Sequence, residues 1–265
     1  MTTEYFTSPE GRRLAFRRTP PAAGRPTFVW LSGFKSDMSG GKAMAVEAWA
    51  RAQGCGALLF DYSGHGASGG RFEDGTVSAW RADALAAIDA LTQGPLVLVG
   101  SSMGGWMALL AALARPERVR GLVLIAPAPD FTETLMWPEF TPAQQAEIMD
   151  EGFTLRPSGY GEPYPVTRAL IEDGRQWCVL DKDIAFNGPV RILQGMRDAD
   201  VPWGHALALA AALTADDLVL QLIKDGDHRL SREEDIARLL AACGEVSRRV
   251  GAEGPGPDSG NRSPV

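Results

Sequence analysis

Short apolar runs punctuate the chain at Thr27–Leu31, Ala57–Phe60, Leu96–Gly100, Gly121–Ile125, Val190–Gln194 and Leu218–Ile223. They are nearly continuous in Val, Leu and Phe, without the alternation of a half-exposed strand, as strands covered on both faces require. Two shorter strands, Tyr5–Thr7 and Leu14–Arg18, are expected before them, joined by the turn Ser8-Pro9-Glu10-Gly11. Between the runs, apolar residues recur at helical spacing. Trp80, Ala84, Ile88 and Leu91 make one stripe, stopped by Gly94-Pro95. Ile236, Leu239, Leu240 and Cys243 make another, in a last helix that Ser231 and Glu234 are expected to open as a capping box. Strands alternating with helices predict an α/β fold, a mostly parallel central sheet with helices on both faces.

Two stretches break the alternation. Residues 127–187 are too long for a loop between two strands, and carry many prolines with Phe131, Trp137, Phe140, Phe153, Tyr160, Tyr164 and Trp177. They are expected to form a small, mainly helical cap inserted into a core of residues 1–126 and 188–250. From Gly251 to Val265 the chain is rich in Gly, Pro, Ser and Asn, and a disordered tail is expected there.

Composition narrows the function classes. With 45% hydrophobic and 22% charged residues, the 265-residue chain has an ordinary globular make-up and needs no staples to bury a core. A formal net charge of −7 offers no basic excess to phosphates, so nucleic acid is not an expected partner. Cys55, Cys178 and Cys243 are odd in number and widely spaced, which suits a reducing compartment and neither a disulfide framework nor a zinc knuckle. No run approaches the ~20 apolar residues of a membrane helix. Glu4 and Glu10 fall where a signal peptide would be apolar, so a cytoplasmic protein is expected.

The chemistry starts at Gly100-Ser101-Ser102-Met103-Gly104, a G-x-S-x-G motif after a buried strand and before the helix-forming run Trp106–Leu113. That context makes Ser102 a nucleophile on a sharp strand-to-helix turn, with the helix's positive end behind it. Ser101 has no glycine two residues later and is the wrong serine. Of the three histidines, His65 and His205 are expected to pack or hydrogen-bond locally. Only His228, in the loop after the last strand, fits the chain order of serine, acid, histidine. The acid belongs after Val190–Gln194, where Asp198 and Asp200 compete. Asp198 is preferred because G-x-x-D-x-x-V-P puts it in the first turn, while Asp200 is placed to cap the next helix. The backbone N–H groups of Met103 and Phe34, the latter in the loop Ser32-Gly33-Phe34-Lys35-Ser36, are the expected oxyanion donors. Trp106, Trp137 and Phe140 are the candidates for contact with the acyl group, packing of the cap being the alternative use. Neither a cofactor nor a metal is called for.

These residues together resemble the α/β-hydrolase superfamily from about Tyr5 to Val250. A closer likeness is to the α/β-hydrolase-domain thioesterases and esterases typified by the mitochondrial enzyme that acts on palmitoylated proteins and acyl glucuronides. It is carried by Gly33-Phe34-Lys35-Ser36-Asp37-Met38 with Gly41-Lys42-Ala43, Phe60-Asp61-Tyr62-Ser63-Gly64, Gly100 to Trp106, Gly195-Met196-Arg197-Asp198 with Val201-Pro202-Trp203, and Asp227-His228-Arg229. The resemblance implies a serine triad at Ser102, Asp198 and His228 that cleaves acyl esters or thioesters without metal or cofactor.

Rival classes fare worse. Gly64-His65-Gly66-Ala67-Ser68-Gly69 matches the dinucleotide pattern G-x-G-x-x-G, but residues 70–75 intervene before any helix could open on its last glycine. A binding protein on this fold would be expected to have lost a triad member. A cofactor-free haloperoxidase keeps the same serine triad, so the motif does not separate it from an esterase.

Overall fold

The computed structural model describes residues 2–158 and 161–252. Each of the six apolar runs is a strand, with ends within two residues of expectation: β3 (Thr27–Leu31), β4 (Gly56–Phe60), β5 (Leu96–Ser101), β6 (Val119–Ile125), β9 (Val190–Gly195) and β10 (Leu218–Ile223). With β1 (Glu4–Thr7) and β2 (Arg13–Thr19) they form one eight-stranded sheet in the order β1-β2-β4-β3-β5-β6-β9-β10. β1, β2 and β4 pair antiparallel, and every pair from β4 to β10 is parallel. β3, β4, β5 and β9 are buried at every position, which accounts for their unbroken apolarity.

Helices α1 (Gly41–Ala52) and α7 (Glu233–Ala252) cover one face, packing Val46, Ala50, Leu239, Cys243 and Val246 onto Phe28, Ala57, Val97 and Val123. α2 (Val77–Leu91), α3 (Met103–Ala114) and α6 (Trp203–Ala212) cover the other, with Trp80, Ile88, Trp106 and Leu209 over Leu58, Leu98, Leu122 and Ile192. The chain leaves β3 toward β4 by α1 and returns to β5 on the opposite side of β3 by α2. A crevice therefore opens beyond the carboxyl ends of β3 and β5, the place where open α/β sheets bind ligands.

Between β6 and β9 lie a π-helical turn (Thr132–Met136), a short 3-10 turn, α4 (Pro142–Glu151), α5 (Arg168–Arg175) and an antiparallel hairpin of β7 (Phe153–Ser158) and β8 (Gly161–Thr167). The hairpin adds strand to a segment expected to be mainly helical. Pro157, Pro163 and Pro165 disguise it in sequence, yet a two-stranded sheet has only edges, and Pro157 falls at the register shift between Arg156 and Ser158. Asp130 fastens the segment's ends together, its carboxylate accepting from the Val179 amide at 2.9 Å and the Leu180 amide at 2.8 Å.

α7 starts two residues after Ser231, with a different cap from the one expected. The Ser231 hydroxyl turns back to the Arg229 carbonyl oxygen, and the Asp235 carboxylate accepts from the Arg232 amide at 3.3 Å. α7 also runs through Gly251 to Ala252; the rest of the expected tail lies outside the described residues.

Candidate active site

Ser102 sits between β5 and α3 with φ 55° and ψ −121°, a conformation L-residues avoid. Its surroundings hold it there. The Ser102 amide donates to the Ile125 carbonyl oxygen at 2.9 Å, and its own carbonyl accepts from Gly105 at 2.8 Å and Ala128 at 3.1 Å. The flanking glycines make the turn sterically possible. A Cβ on Gly100 would stand 2.3 Å from the Gly104 carbonyl oxygen, and one on Gly104 only 1.9 Å from that of Leu31.

Two neighbouring strands deliver the His–Asp pair. The loops after β9 and β10 are zipped by Met196 N–H to Ile223 O at 2.8 Å and Arg197 N–H to Gly226 O at 2.9 Å. Gly195 permits the approach, since a Cβ there would meet the Gly226 oxygen at 2.4 Å. Asp198 Oδ2 then lies 2.8 Å from His228 Nδ1, and His228 Nε2 lies 3.2 Å from Ser102 Oγ. A carboxylate only accepts, so Nδ1 carries the proton and the Nε2 lone pair faces the serine hydroxyl.

The Asp198 side chain is wholly buried and its oxygens are both satisfied: Oδ1 by the Asp200 and Val201 amides, Oδ2 by His228 and by Gln194 Nε2 at 3.0 Å. Asp200 is exposed on the cavity wall. Asp198, Asp200 and His228 offer ligand atoms within 4.8 Å of one another. The four donors already on Asp198 leave that carboxylate no lone pair for a cation.

The turn after β3 closes the other side. A Cβ on Gly33 would lie 3.2 Å from the Ser101 carbonyl oxygen and 3.4 Å from the Ser102 Cβ, so Gly33 sits against the serine turn. Among the described residues no acceptor is paired with the Phe34 or the Met103 amide. Met103 opens α3, whose first N–H groups have no partner within the helix.

Beside these groups is a cavity of about 740 Å³. Its apolar lining includes Phe34, Met103, Phe131, Leu135, Met136 and Tyr164. Its polar lining includes Lys35, Lys42, Asp37, Asp200 and Arg229, with Lys35 Nζ 4.8 Å from the Tyr164 ring centre. Phe34 makes edge contacts with Phe131 and Tyr164, at 5.7 and 5.5 Å between ring centres, so these three rings form one aromatic cluster. Lys42 donates to the Arg229 carbonyl oxygen, next to His228, and burial lowers its pKa to about 8.

Trp106, Trp137 and Phe140 are not on this wall. Trp106 is fully buried in α3, its Nε1 donating to the Trp177 carbonyl oxygen at 3.2 Å, and Trp137 packs edge-on against Phe140 in the segment between β6 and β9. Their places are taken by Phe131, Leu135, Met136 and Tyr164. The clue for Phe131 was its position just past β6, at the same sheet edge as Ser102. His205 stands apart, its Nε2 donating to the Pro129 carbonyl oxygen at 2.7 Å, and burial lowers its pKa. His65 lies behind the Phe34 turn.

A sheet of this order, with a strained serine turn at its switch point and a histidine loop after its last strand, defines the class of α/β hydrolases. The serine aminopeptidase S33 family model matches residues 25–152. The human mitochondrial palmitoyl-protein thioesterase ABHD10 is 36% identical over 238 residues, 89% of this chain and 77% of that protein. Mouse α/β-hydrolase domain-containing protein 10 superposes with a TM-score of 0.85 at 35% identity, over 92% of this chain and 98% of that one. A putative hydrolase from Agrobacterium vitis superposes at 0.89 with 47% identity, covering 93% and 98%. The chain belongs to the α/β-hydrolase family that includes these ABHD10 thioesterases.

Proposed function

We propose that the chain is a serine hydrolase that cleaves acyl esters and thioesters by two-step acyl transfer. Ser102 Oγ attacks the acyl carbon while His228 Nε2 takes its proton; Asp198 holds the imidazole tautomer and stabilises the imidazolium. The Phe34 and Met103 amides receive the oxyanion, helped by the positive end of α3. His228 returns the proton to the departing alkoxide or thiolate, then draws one from water, whose oxygen attacks the acyl-enzyme and frees the acid. The observation that carries this reading is the hydrogen-bonded chain from Asp198 through His228 to Ser102, at 2.8 and 3.2 Å.

The aromatic lining of the cavity suits an extended acyl chain, and the thioesterase name of the ABHD10 relatives supports a fatty acyl thioester of a protein as substrate; acyl glucuronides are the second candidate. Among the described residues no helix is long and apolar enough to cross a membrane. Free Cys55, Cys178 and Cys243 support a reducing compartment, which we take to be the cytoplasm, although the mammalian relatives are named as mitochondrial. The test is hydrolysis of nitrophenyl esters and acyl thioesters of graded chain length. Both series are expected to turn over, and Ser102→Ala to lower the rate by about four to six orders of magnitude. Undiminished turnover by Ser102→Ala would refute the reading.

A further inference from the structure

Gly64-His65-Gly66 belongs to the glycine-rich stretch that imitates a dinucleotide loop, and no step above uses it. In the structure it is a tight loop packed behind the turn that carries Phe34. His65 is buried among the ring edges of Tyr62, Phe72 and Trp80. Its Nδ1 lies 3.2 Å from the Ser63 carbonyl oxygen, and its Nε2 3.2 Å from the Lys35 amide nitrogen. The carbonyl can only accept and the amide can only donate, so the ring is neutral, with its proton on Nδ1 and a lone pair on Nε2. Burial favours the same neutral form by lowering the pKa, against the opposite pull of the Ser63 carbonyl, Asp83 and Asp37. Ser63 is itself anchored. Its amide and hydroxyl donate to buried Asp83 at 2.9 and 2.6 Å, and Arg12 Nε holds Asp83 at 2.6 Å.

What His65 touches is the central peptide of a β-turn. Ser36 N–H closes the turn on the Gly33 carbonyl oxygen at 3.0 Å. Lys35, its third residue, has φ 57°, whereas Phe34 is not in the positive-φ region, so the turn is type II. Type II turns ask for glycine at that third position, and lysine is strained there. Flipping the Phe34–Lys35 peptide to type I would relieve the strain. It would also turn the Lys35 N–H away from His65 and bring the Phe34 carbonyl oxygen toward the Nε2 lone pair, which repels it.

We propose that His65 is a positioning residue for the oxyanion loop: its bond to the Lys35 N–H fixes the turn that carries the Phe34 amide beside the Ser102 turn, a role that rests on the proposed donor assignment. Two amides separate its two bonds. Asparagine at 65 reaches only the place of Nδ1, and glutamine reaches the place of Nε2.

His65→Asn is expected to lower kcat about 10- to 100-fold with KM within about twofold, and to weaken a boronic acid transition-state analogue by the same factor as kcat. His65→Gln should stay within about threefold of the parent, because the Lys35 bond survives. In a Lys35→Gly background, where the backbone accepts the positive φ unaided, the cost of His65→Asn should shrink to about threefold or less. Equal kcat values for the two amides, or a loss undiminished by Lys35→Gly, would overturn the proposal. If Ser102→Ala kept its turnover in the same assay, the nucleophile reading would fall, whatever His65 does. If Ser102→Ala is dead and folded His65→Asn runs at full speed, only the role of His65 falls. Should His65→Asn not fold, nitrogen NMR of the unaltered protein decides: an Nδ1–H tautomer for His65 in the boronate complex supports the proposal, and an Nε2–H tautomer refutes it.

Discussion

Asp198 and Asp200 are two positions apart and chemically identical, and their surroundings alone give them different uses. The Asp198 carboxylate is sealed from water under four donors, one of them His228 Nδ1. Asp200 is exposed, and its amide serves as one of those donors. Asp198→Asn would set an NH₂ group among donors and disturb the histidine tautomer, so kcat is expected to fall by about 10⁴. Asp200→Asn keeps the backbone amide and should stay within about tenfold of the parent, on the ordinary scale of a pocket contact. Steady-state rates on one thioester decide, and the reverse ranking would contradict the assignment. The sequence allowed this preference because a G-x-x-D turn after a strand has a fixed reach. It was silent on the lining of the cavity beside Ser102. Trp106 is close to Ser102 in sequence, but α3 is buried from Met103 to Ala112 and turns the ring toward Trp177. Phe131 and Tyr164 reach the cavity from 29 and more positions downstream, through a segment between β6 and β9 whose path no local pattern specifies.

At the scale of elements, the strand-to-helix turn at Ser102 is the most constrained feature. Gly104→Ala would drive a methyl into the Leu31 carbonyl oxygen, a backbone atom that cannot rotate aside. Urea unfolding should show a loss of about 3 kcal/mol or more, or no folded protein at all. Gly204→Ala in α6, where nothing lies within 4 Å of the added Cβ, should be neutral or stabilising. Equal midpoints for the two variants would contradict this account of the turn. The elements of the core were legible because strands buried on both faces leave unbroken apolar runs. The β7–β8 hairpin was not, since its prolines read as breaks and its exposed Phe153 and Leu155 obscure any alternation. The start of α7 is ambiguous in sequence because serine and aspartate are both good capping residues; in the fold the Asp235 carboxylate takes the Arg232 amide.

For the molecule as a whole, two helical layers clamp the sheet, and every element of the candidate site comes off its carboxyl edge: Phe34 after β3, Ser102 after β5, Asp198 after β9 and His228 after β10. That convergence follows from strand order, which no single motif contains. The segment between β6 and β9 then roofs the crevice with Phe131, Leu135, Met136 and Tyr164. Covalent capture at Ser102 probes this arrangement most directly. The intact protein is treated with a fluorophosphonate, and the adduct is located by peptide mass spectrometry. A single phosphonyl group on Ser102, absent from Ser101 and lost with His228→Ala, is the expected result. An adduct on another residue, or none on folded protein that still hydrolyses thioesters, would contradict the account.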